Sequence, residues 1–237
     1  MSSTERGEPR TGAPAVGHPG APTAWARTPT ARLVREAVQR SFLRLCVQAC
    51  ARPLVDGVEH LGGLDGPAVF VANHSSHLDT PLILGALPRR HACRVTVGAA
   101  ADYFFASPLT GAATALVFNA FPVRRGAARQ WRGDAELLLG QGWHVLLYPE
   151  GTRSPDGSLG PFKTGAARLC LAAGVPFVPV ALRGTHTVLP RGSRLPRPDG
   201  TRVRVRVGSP LDPVAGETPH MLRGRMRSEV ERLLSPV

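Results

Sequence analysis

Residues 68–80 read AVFVANHSSHLDT, a run of five apolar residues that passes without a linker into a polar turn. Apolar residues resume at Pro81 and continue to Leu87. A short apolar run that ends in a turn is typical of a buried strand, and a capping residue before a longer apolar segment is typical of a helix start. The stretch therefore predicts a strand, a loop and a helix, with the polar residues at the carboxyl end of the strand.

The same order recurs at residues 144–154, HVLLYPEGTRS, where an apolar run again enters a polar turn. Strands that alternate with helices in this way favour an α/β fold with a layered, mixed and largely parallel sheet that is flanked by helices. In such a sheet the functional site is expected at the carboxyl ends of the strands and in the loops that follow them. The other predicted strands are 94–98, 121–123, 177–182 and 202–207, and the other predicted helices are 102–116, 129–139, 164–173 and 220–234.

The chain is predicted to have three segments. Residues 1–29 are rich in proline, glycine, alanine and threonine without a period, which indicates a disordered tail. Residues 30–52 form a basic amphipathic helix, and residues 53–237 form the α/β domain. The apolar side of the helix either packs on the domain or lies on an acidic membrane surface. Its members are Val34, Val38, Leu45 and Ala49, with Phe42 beside them and Arg32, Arg35, Arg40 and Arg44 mostly opposite.

The composition predicts a protein that attracts anions. Its 29 basic and 17 acidic side chains leave a charge of +12, which suits nucleic acid, acidic lipid headgroups or phosphorylated small molecules. The four cysteines form no Cys-x-x-Cys pair, so a reducing cytoplasmic setting is expected. We expect no export, because the N-terminus lacks a charged start followed by an apolar run. The uncharged stretch 104–123 contains Pro108 and Asn119 and is expected to be buried or interfacial rather than to span a membrane.

The segment NHSSHLDT carries the predicted chemistry. In a regular helix His74 and Asp79 would point about 140° apart, so the two side chains can meet only across a turn. With His74 on the loop after the strand, one of Ser75 and Ser76 as helix cap and Asp79 in the first helical turn, the carboxylate reaches back to the imidazole. A carboxylate on one ring nitrogen fixes the tautomer and leaves the other nitrogen to act as a general base.

Two other interpretations of this segment stay open at this point. His74, His77 and Asp79 are residue types that bind metals, although no second cluster of recognisable spacing completes such a site. The polar residues also serve well as a simple helix cap.

Cationic side chains follow other predicted strands and suggest an anion site. FPVRRG places Arg124 and Arg125 after one strand, and YPEGTRS places Arg153 after another. Arginine offers a planar fork for phosphate, and a glycine in the turn lets the backbone approach a ligand closely. Lys163 is the single lysine of the chain, ten residues after Arg153, and is a further candidate.

Four motifs in order resemble those of the glycerolipid acyltransferase family typified by bacterial 1-acyl-glycerol-3-phosphate acyltransferase. They are NHSSHLD, FPVRRG, YPEGTRS and VPFVPVAL (175–182), and the similarity covers roughly residues 53–213. Tyr148 stands where phenylalanine is usual in the family, and VRRG replaces a more frequent Asp-Arg version of the second motif. The second change leaves open which of Arg124 and Arg125 contacts phosphate.

The resemblance implies a role for each matching residue. His74 would be the base and Asp79 its partner. Arg124 or Arg125, together with Arg153, would bind the acceptor phosphate, and Glu150 and Gly151 would belong to the acceptor pocket. Beside these, Lys163 is a further candidate for binding the phosphate, and Asn73 and Thr152 are further candidates for the acceptor pocket. Residues 175–182 would be structural or line the acyl channel.

The resemblance also implies the reaction. An acyl group would pass from acyl-CoA or acyl carrier protein to the free hydroxyl of 1-acyl-glycerol-3-phosphate and give phosphatidic acid. No metal or other cofactor is expected, because the thioester co-substrate is already activated. Direct transfer is favoured, since the chain has no G-x-S-x-G nucleophile elbow. The enzyme is expected to be peripheral on the inner, anionic face of the cell membrane.

Two alternatives to this function remain. The same chemistry could act on another lysolipid or on a glycolipid without a phosphate monoester. A module that binds nucleic acid or a membrane surface would also carry a charge of +12. That class does not account for the motif set, so nucleic acid is not an expected partner.

Overall fold

A seven-stranded sheet forms the centre of the computed structural model, which describes residues 23–124, 128–193, 195–197, 200 and 202–235. The order across the sheet is β1-β7-β6-β2-β5-β3-β4, and every neighbouring pair is parallel except β6 and β7. This confirms the predicted mixed, largely parallel sheet. The strands are β1 Leu54–Asp56, β2 Val69–Ala72, β3 Val95–Ala100, β4 Ala120–Val123, β5 His144–Leu147, β6 Phe177–Arg183 and β7 Arg204–Val207.

Helices cover both faces of the sheet. Alternate residues of one strand enter opposite cores: Phe70 and Ala72 pack with α2 and α3, whereas Val69 and Val71 pack with α7, α8 and α10. The helices are α1 Pro29–Val38, α2 Arg44–Ala51, α3 Asp79–Ala86, α4 Arg89–Ala92, α5 Ala101–Phe104, α6 Pro108–Phe118, α7 Ala128–Gly140, α8 Gly165–Ala173, α9 Thr185–Val188 and α10 Pro219–Leu234.

The sheet brings the predicted motifs to one edge. Strand β2 pairs in parallel with β5, and β5 pairs in parallel with β3. The loop after β2 begins at Asn73, and the loop after β5 begins at Tyr148. Because carboxyl ends of parallel strands point the same way, these two loops lie side by side.

The N-terminal helix differs from its prediction in which side faces the domain. Residues Gln39–Leu43 form a π-helical turn between α1 and α2. Such a turn inserts one extra residue and rotates everything after it by about 100°. The residues buried against the domain therefore follow a stripe that no single helical period predicts, and they are Ala31, Arg35, Val47 and Ala51.

Arg35 was predicted on the solvent side and is instead buried. Its Nε donates to the carbonyl of Leu116 at 2.8 Å, and one of its terminal nitrogens donates to the carbonyl of Ala26. Gln39 donates to the carbonyl of Val117 at 2.7 Å. The two side chains thus satisfy carbonyls at the end of α6 that have no partner within the helix, which explains why a charged residue is tolerated inside.

Three elements also differ from the sequence prediction. The predicted helix 102–116 is two helices, because Ser107 caps α6 by accepting from the amide of Thr110 and Pro108 takes the first helical position. A 3-10 helix, Ala24–Arg27, lies within the region predicted as a tail. Strand β1 was not predicted, because its three residues are exposed and show no alternation.

No helix in the described ranges is both long and apolar enough to cross a membrane.

Candidate active site

The turn between β2 and α3 is built around the carboxylate of Asp79. The carboxylate is fully buried, and its Oδ2 accepts from Nδ1 of His74 at 2.8 Å. The same oxygen accepts from the backbone amides of Ser75 at 2.7 Å and Ser76 at 2.8 Å. The geometry matches the predicted contact of His74 with Asp79 across a turn. With Nδ1 donating to Asp79, Nε2 of His74 is the nitrogen left to accept a proton.

The two serines hold the turn by contacts other than the predicted helix cap. The hydroxyl of Ser75 lies 2.8 Å from that of Thr185, and the hydroxyl of Ser76 donates to the carbonyl of Leu189 at 2.8 Å. Both residues are buried. They tie the loop to the segment after β6.

Glu150 joins the two neighbouring loops. Its Oε1 accepts from the amide of His74 at 2.7 Å, and its Oε2 accepts from the amide of Gly160 at 2.9 Å. The amide of Ser154 in turn donates to the carbonyl of His74 at 2.7 Å. Burial raises the pKa of Glu150, and the two backbone donors oppose this shift. Both carboxylate oxygens are occupied by the backbone, so Glu150 holds His74 in place.

Asn73 is engaged in a similar way. Its side-chain amide donates to the carbonyl of Leu182 at 2.9 Å and accepts from the amide of Leu182 at 2.8 Å. Neither Asn73 nor Glu150 is among the residues that line the cleft described next. Both side chains instead bond to the backbone of neighbouring segments, and their membership of the acceptor pocket stays a prediction.

A cleft of about 980 Å³ opens in front of His74. Of the predicted phosphate ligands, Arg124, Arg153 and Lys163 line it, as do Gly151 and Thr152. Arg125 lies outside the described residues. Six cationic side chains line the cleft, namely Arg124, Arg132, Arg153, Lys163, Arg168 and Arg191, and none of them is ion-paired to a carboxylate in the part of the chain that the structure describes.

The glycine of the YPEGTRS turn is required by the position of Lys163. Gly151 has a φ of +74°, and a Cβ at this position would lie 2.7 Å from Nζ of Lys163. This backbone conformation favours glycine, and a side chain at position 151 would push the end of the lysine aside. The amide of Lys163 donates to the carbonyl of Pro149 at 2.8 Å, so the lysine is held across the turn.

The other half of the cleft is apolar and lies between α6 and the strands β3, β4 and β5. Residues 175–182 do not line it; strand β6 is buried in the sheet, so this motif is structural. The apolar lining residues are Val97, Gly98, Ala99, Phe104, Phe118, Ala120, Val123 and Leu147.

His77 lies in the cleft wall and not on a metal-binding cluster. Its ring is stacked near that of Tyr103, with centroids 5.6 Å apart, and burial lowers its pKa to about 4. Within the described ranges no three histidine, cysteine, aspartate or glutamate side chains are placed to hold a metal ion.

Several cleft residues were missed in the sequence. Trp131, Arg132 and Arg168 are on α7 and α8, where single arginines on a helix resemble an ordinary solvated face. Gly165 on α8 leaves room for the ring of Trp131, because a Cβ there would lie 2.9 Å from that ring. This small residue is the one feature of the sequence that reflects the contact. In the sequence Tyr148 differs from the family only by standing in place of phenylalanine, whereas in the structure its ring is stacked on that of His74.

Known proteins share both the motifs and the fold. A family model described as acyltransferase matches residues 51–183. The chloroplastic 1-acyl-sn-glycerol-3-phosphate acyltransferase of Brassica napus is 36% identical over 142 residues, which are 59% of this chain and 39% of that protein. The enzyme of the same name from Haemophilus influenzae is 28% identical over 159 residues, 66% of this chain and 62% of that protein. The matches to plant relatives thus span about two fifths of their length.

A solved structure agrees with this relationship. The crystal structure of the 1-acyl-sn-glycerophosphate acyltransferase of Thermotoga maritima superimposes with a TM-score of 0.67 at 25% identity, covering 86% of this chain and 80% of that one. The family model covers more than half of the chain, and it includes the loops that carry His74, Asp79 and Arg153. The chain therefore belongs to the acyltransferase family.

Proposed function

We propose that the protein transfers a fatty acyl group from a thioester to the free hydroxyl of 1-acyl-glycerol-3-phosphate and so forms phosphatidic acid. One observation carries the proposal: the pair of His74 and Asp79 faces a cleft with a cationic half and an apolar half. This division suits a substrate with a phosphate at one end and a hydrocarbon chain at the other. The names of the relatives from Brassica napus and Haemophilus influenzae support the same acceptor.

The reaction follows from the tautomer of His74. Nε2 accepts the proton of the acceptor hydroxyl while the oxygen attacks the thioester carbonyl. Asp79 stabilises the imidazolium that forms. The tetrahedral intermediate then collapses, the carbon–sulfur bond breaks, and the imidazolium returns its proton to the leaving thiolate. No metal or redox cofactor takes part in this scheme, and the thioester is a co-substrate.

The donor is acyl-CoA or acyl carrier protein. Six cations exceed what one phosphate monoester of charge about −2 requires, and both donors bring further phosphate. Arg132 and Arg168 line the cleft from the helices α7 and α8 rather than from the loops after β2 and β5, and we assign the second anion to them.

Arg153 provides the test of the acceptor. Arg153→Ala is expected to raise the KM for 1-acyl-glycerol-3-phosphate by about 10- to 100-fold, because a charge-assisted hydrogen bond to phosphate is lost. The rate with monoacylglycerol, which lacks the phosphate, should change little. Steady-state kinetics with both acceptors measure the difference.

Arg183 supplies the matched control, because it is an exposed arginine at the end of β6 that does not line the cleft. Arg183→Ala should leave the KM for either acceptor unchanged. An unchanged acceptor KM in Arg153→Ala would instead favour a lysolipid or glycolipid without a phosphate monoester.

The acyl chain is proposed to occupy the apolar half of the cleft. Gly98 lies in a closely packed part of the wall of this apolar half. A Cβ there would lie 2.6 Å from Cδ2 of Leu147 and 3.0 Å from Cγ2 of Val123. Gly98→Ala is expected to lower kcat/KM for a palmitoyl donor relative to an octanoyl donor by about fourfold or more, since each methylene excluded from the cleft costs about 0.8 kcal/mol. A panel of donor chain lengths measures the ratio.

Gly224→Ala on α10 is the control, because a Cβ at that position has no heavy atom within 4 Å. Its ratio of the two donors should equal that of the unmodified protein. The same ratio in Gly98→Ala would remove the acyl chain from this part of the cleft.

We further propose that the protein lies on the anionic inner face of the cell membrane through its N-terminal helix. The side of this helix that faces away from the domain carries large apolar residues, with Leu33 exposed by 70%, Phe42 by 69% and Leu45 by 68%. The exposed Arg40 and Arg44 lie on the same stretch of helix as Phe42 and Leu45. Apolar insertion and attraction to acidic headgroups together suffice for reversible binding.

Vesicle sedimentation tests this placement. Replacing Leu33, Phe42 and Leu45 by serine is expected to lower partitioning onto phosphatidylglycerol-containing vesicles by at least about tenfold, given the apolar area removed. The control replaces three exposed apolar residues elsewhere, Leu137, Val214 and Met221, by serine. Equal loss in both variants would show that no particular face binds the membrane.

A further inference from the structure

Tyr148 makes two contacts that connect the catalytic imidazole to helix α3. Its ring is stacked on that of His74, with centroids 4.0 Å apart and an angle of 20° between the planes. Its phenolic oxygen lies 2.8 Å from Oγ1 of Thr80. Thr80 is the neighbour of Asp79 in the first turn of α3. His74 is thus held at one edge by Asp79 and on one face by Tyr148, and both supports are fixed to the same helical turn.

The phenol is suited to a supporting place and not to proton transfer. Burial raises the pKa of Tyr148 well above its usual value, and the nearby charge of Asp79 raises it further. The hydroxyl therefore stays protonated and uncharged throughout the neutral pH range. Its contact with Thr80 is a bond between two hydroxyls, in which either group can donate.

The stacked ring acts most strongly when His74 is protonated. The face of an aromatic ring attracts a cation, and an imidazolium forms when His74 takes the proton of the acceptor. The ring also fixes the plane of the imidazole, which decides where Nε2 points. A stacked partner therefore favours the transition state over the ground state, which is the condition for an effect on kcat.

We propose that Tyr148 is a positioning residue for His74 and that its hydroxyl, bonded to Thr80, anchors the ring to α3. The idea rests on the proposed function of His74 as the base.

Kinetics of four variants test the proposal. Tyr148→Leu is expected to lower kcat by about 3- to 30-fold, with the acceptor KM within twofold of its starting value. Tyr148→Phe keeps the ring and should recover most of the activity. Tyr148→Phe, Thr80→Val and the double variant should show equal, small losses, since each breaks the same hydroxyl bond.

Melting temperatures show whether each variant is folded. If Tyr148→Leu does not fold, the single variants Tyr148→Phe and Thr80→Val still test the hydroxyl bond.

A second measurement does not depend on activity. The Nδ1 proton that His74 shares with Asp79 should give a downfield proton resonance that is absent from His74→Gln. Tyr148→Phe should retain this signal, and Tyr148→Leu should broaden or lose it. Unchanged kcat and an unchanged resonance in Tyr148→Leu would overturn the proposal, as would additive losses in the double variant. Absence of acyl transfer in the unmodified protein, with the resonance behaving as expected, would refute only the proposed function.

Discussion

Replacing His74 by alanine is expected to lower kcat by about 10²- to 10⁴-fold, the range over which a positioned general base contributes. The imidazole is the group whose Nε2 is left to accept the hydroxyl proton, because Nδ1 donates to Asp79 at 2.8 Å. The side chain of His74 is 18% exposed and its backbone amide bonds to Glu150, so truncation leaves the surrounding loop in place. Thiol release with a chromogenic disulfide measures the loss.

The matched control for this variant is His220→Ala. His220 is exposed on α10 and lies outside the cleft, so its removal should leave kcat unchanged. Circular dichroism and melting temperature establish that both variants are folded. Full activity in folded His74→Ala would mean that another group takes the proton.

The second large effect is expected for Asp79→Asn, which removes the charge and keeps the shape. Oδ2 of Asp79 accepts all three hydrogen bonds, whereas Oδ1 has no hydrogen-bond partner in the described part of the chain. An asparagine oxygen in the place of Oδ2 preserves the bonds to His74, Ser75 and Ser76. The imidazolium then loses its counter-charge, and kcat is expected to fall by about 10²- to 10⁴-fold, as when the carboxylate of a triad is lost.

This substitution also has an expected effect on stability. The new amide nitrogen takes the place of Oδ1, which is buried and has no hydrogen-bond partner in the described part of the chain. A buried donor that stays unpaired there costs about 1–3 kcal/mol. Asp212→Asn, on an exposed carboxylate, controls for the loss of charge alone. If folded Asp79→Asn turned over at the original rate, the carboxylate would have no electrostatic part in catalysis.

Local patterns were sufficient for much of the fold and for the central pair. The apolar runs 68–72 and 144–148 each enter a polar turn, and both became buried strands whose loops meet at one edge of the sheet. The separation of His74 from Asp79 excluded a shared helix face and left a contact across a turn. That contact joins residues only five positions apart, so it is encoded locally.

Features that depend on distant residues were beyond the sequence. The π-helical turn at Gln39–Leu43 has no marker in a periodicity that assumes one continuous helix. Glu150 resembled a pocket residue, yet its two oxygens bond to the backbone of His74 and Gly160. The stacking of Tyr148 on His74 joins residues 74 positions apart, and no local rule predicts such a contact.

The cleft shows the same difference between local and distant information. Arg124 directly follows β4 and Arg153 lies in the loop after β5, so the topology brings both to the cleft. Arg132 and Arg168 enter the cleft because α7 and α8 pack together beside it, a tertiary fact that a helical pattern does not contain. These two cations are the ones that we propose bind the phosphate of the donor.

One measurement tests the proposed reaction most directly: purified protein is mixed with acyl-CoA or acyl carrier protein, with and without 1-acyl-glycerol-3-phosphate, and released thiol and lipid product are quantified together. The expected result is thiol release that depends on the acceptor, with one phosphatidic acid formed for each thiol. Thiol release at the same rate without acceptor, or no phosphatidic acid with any donor, would contradict the assignment.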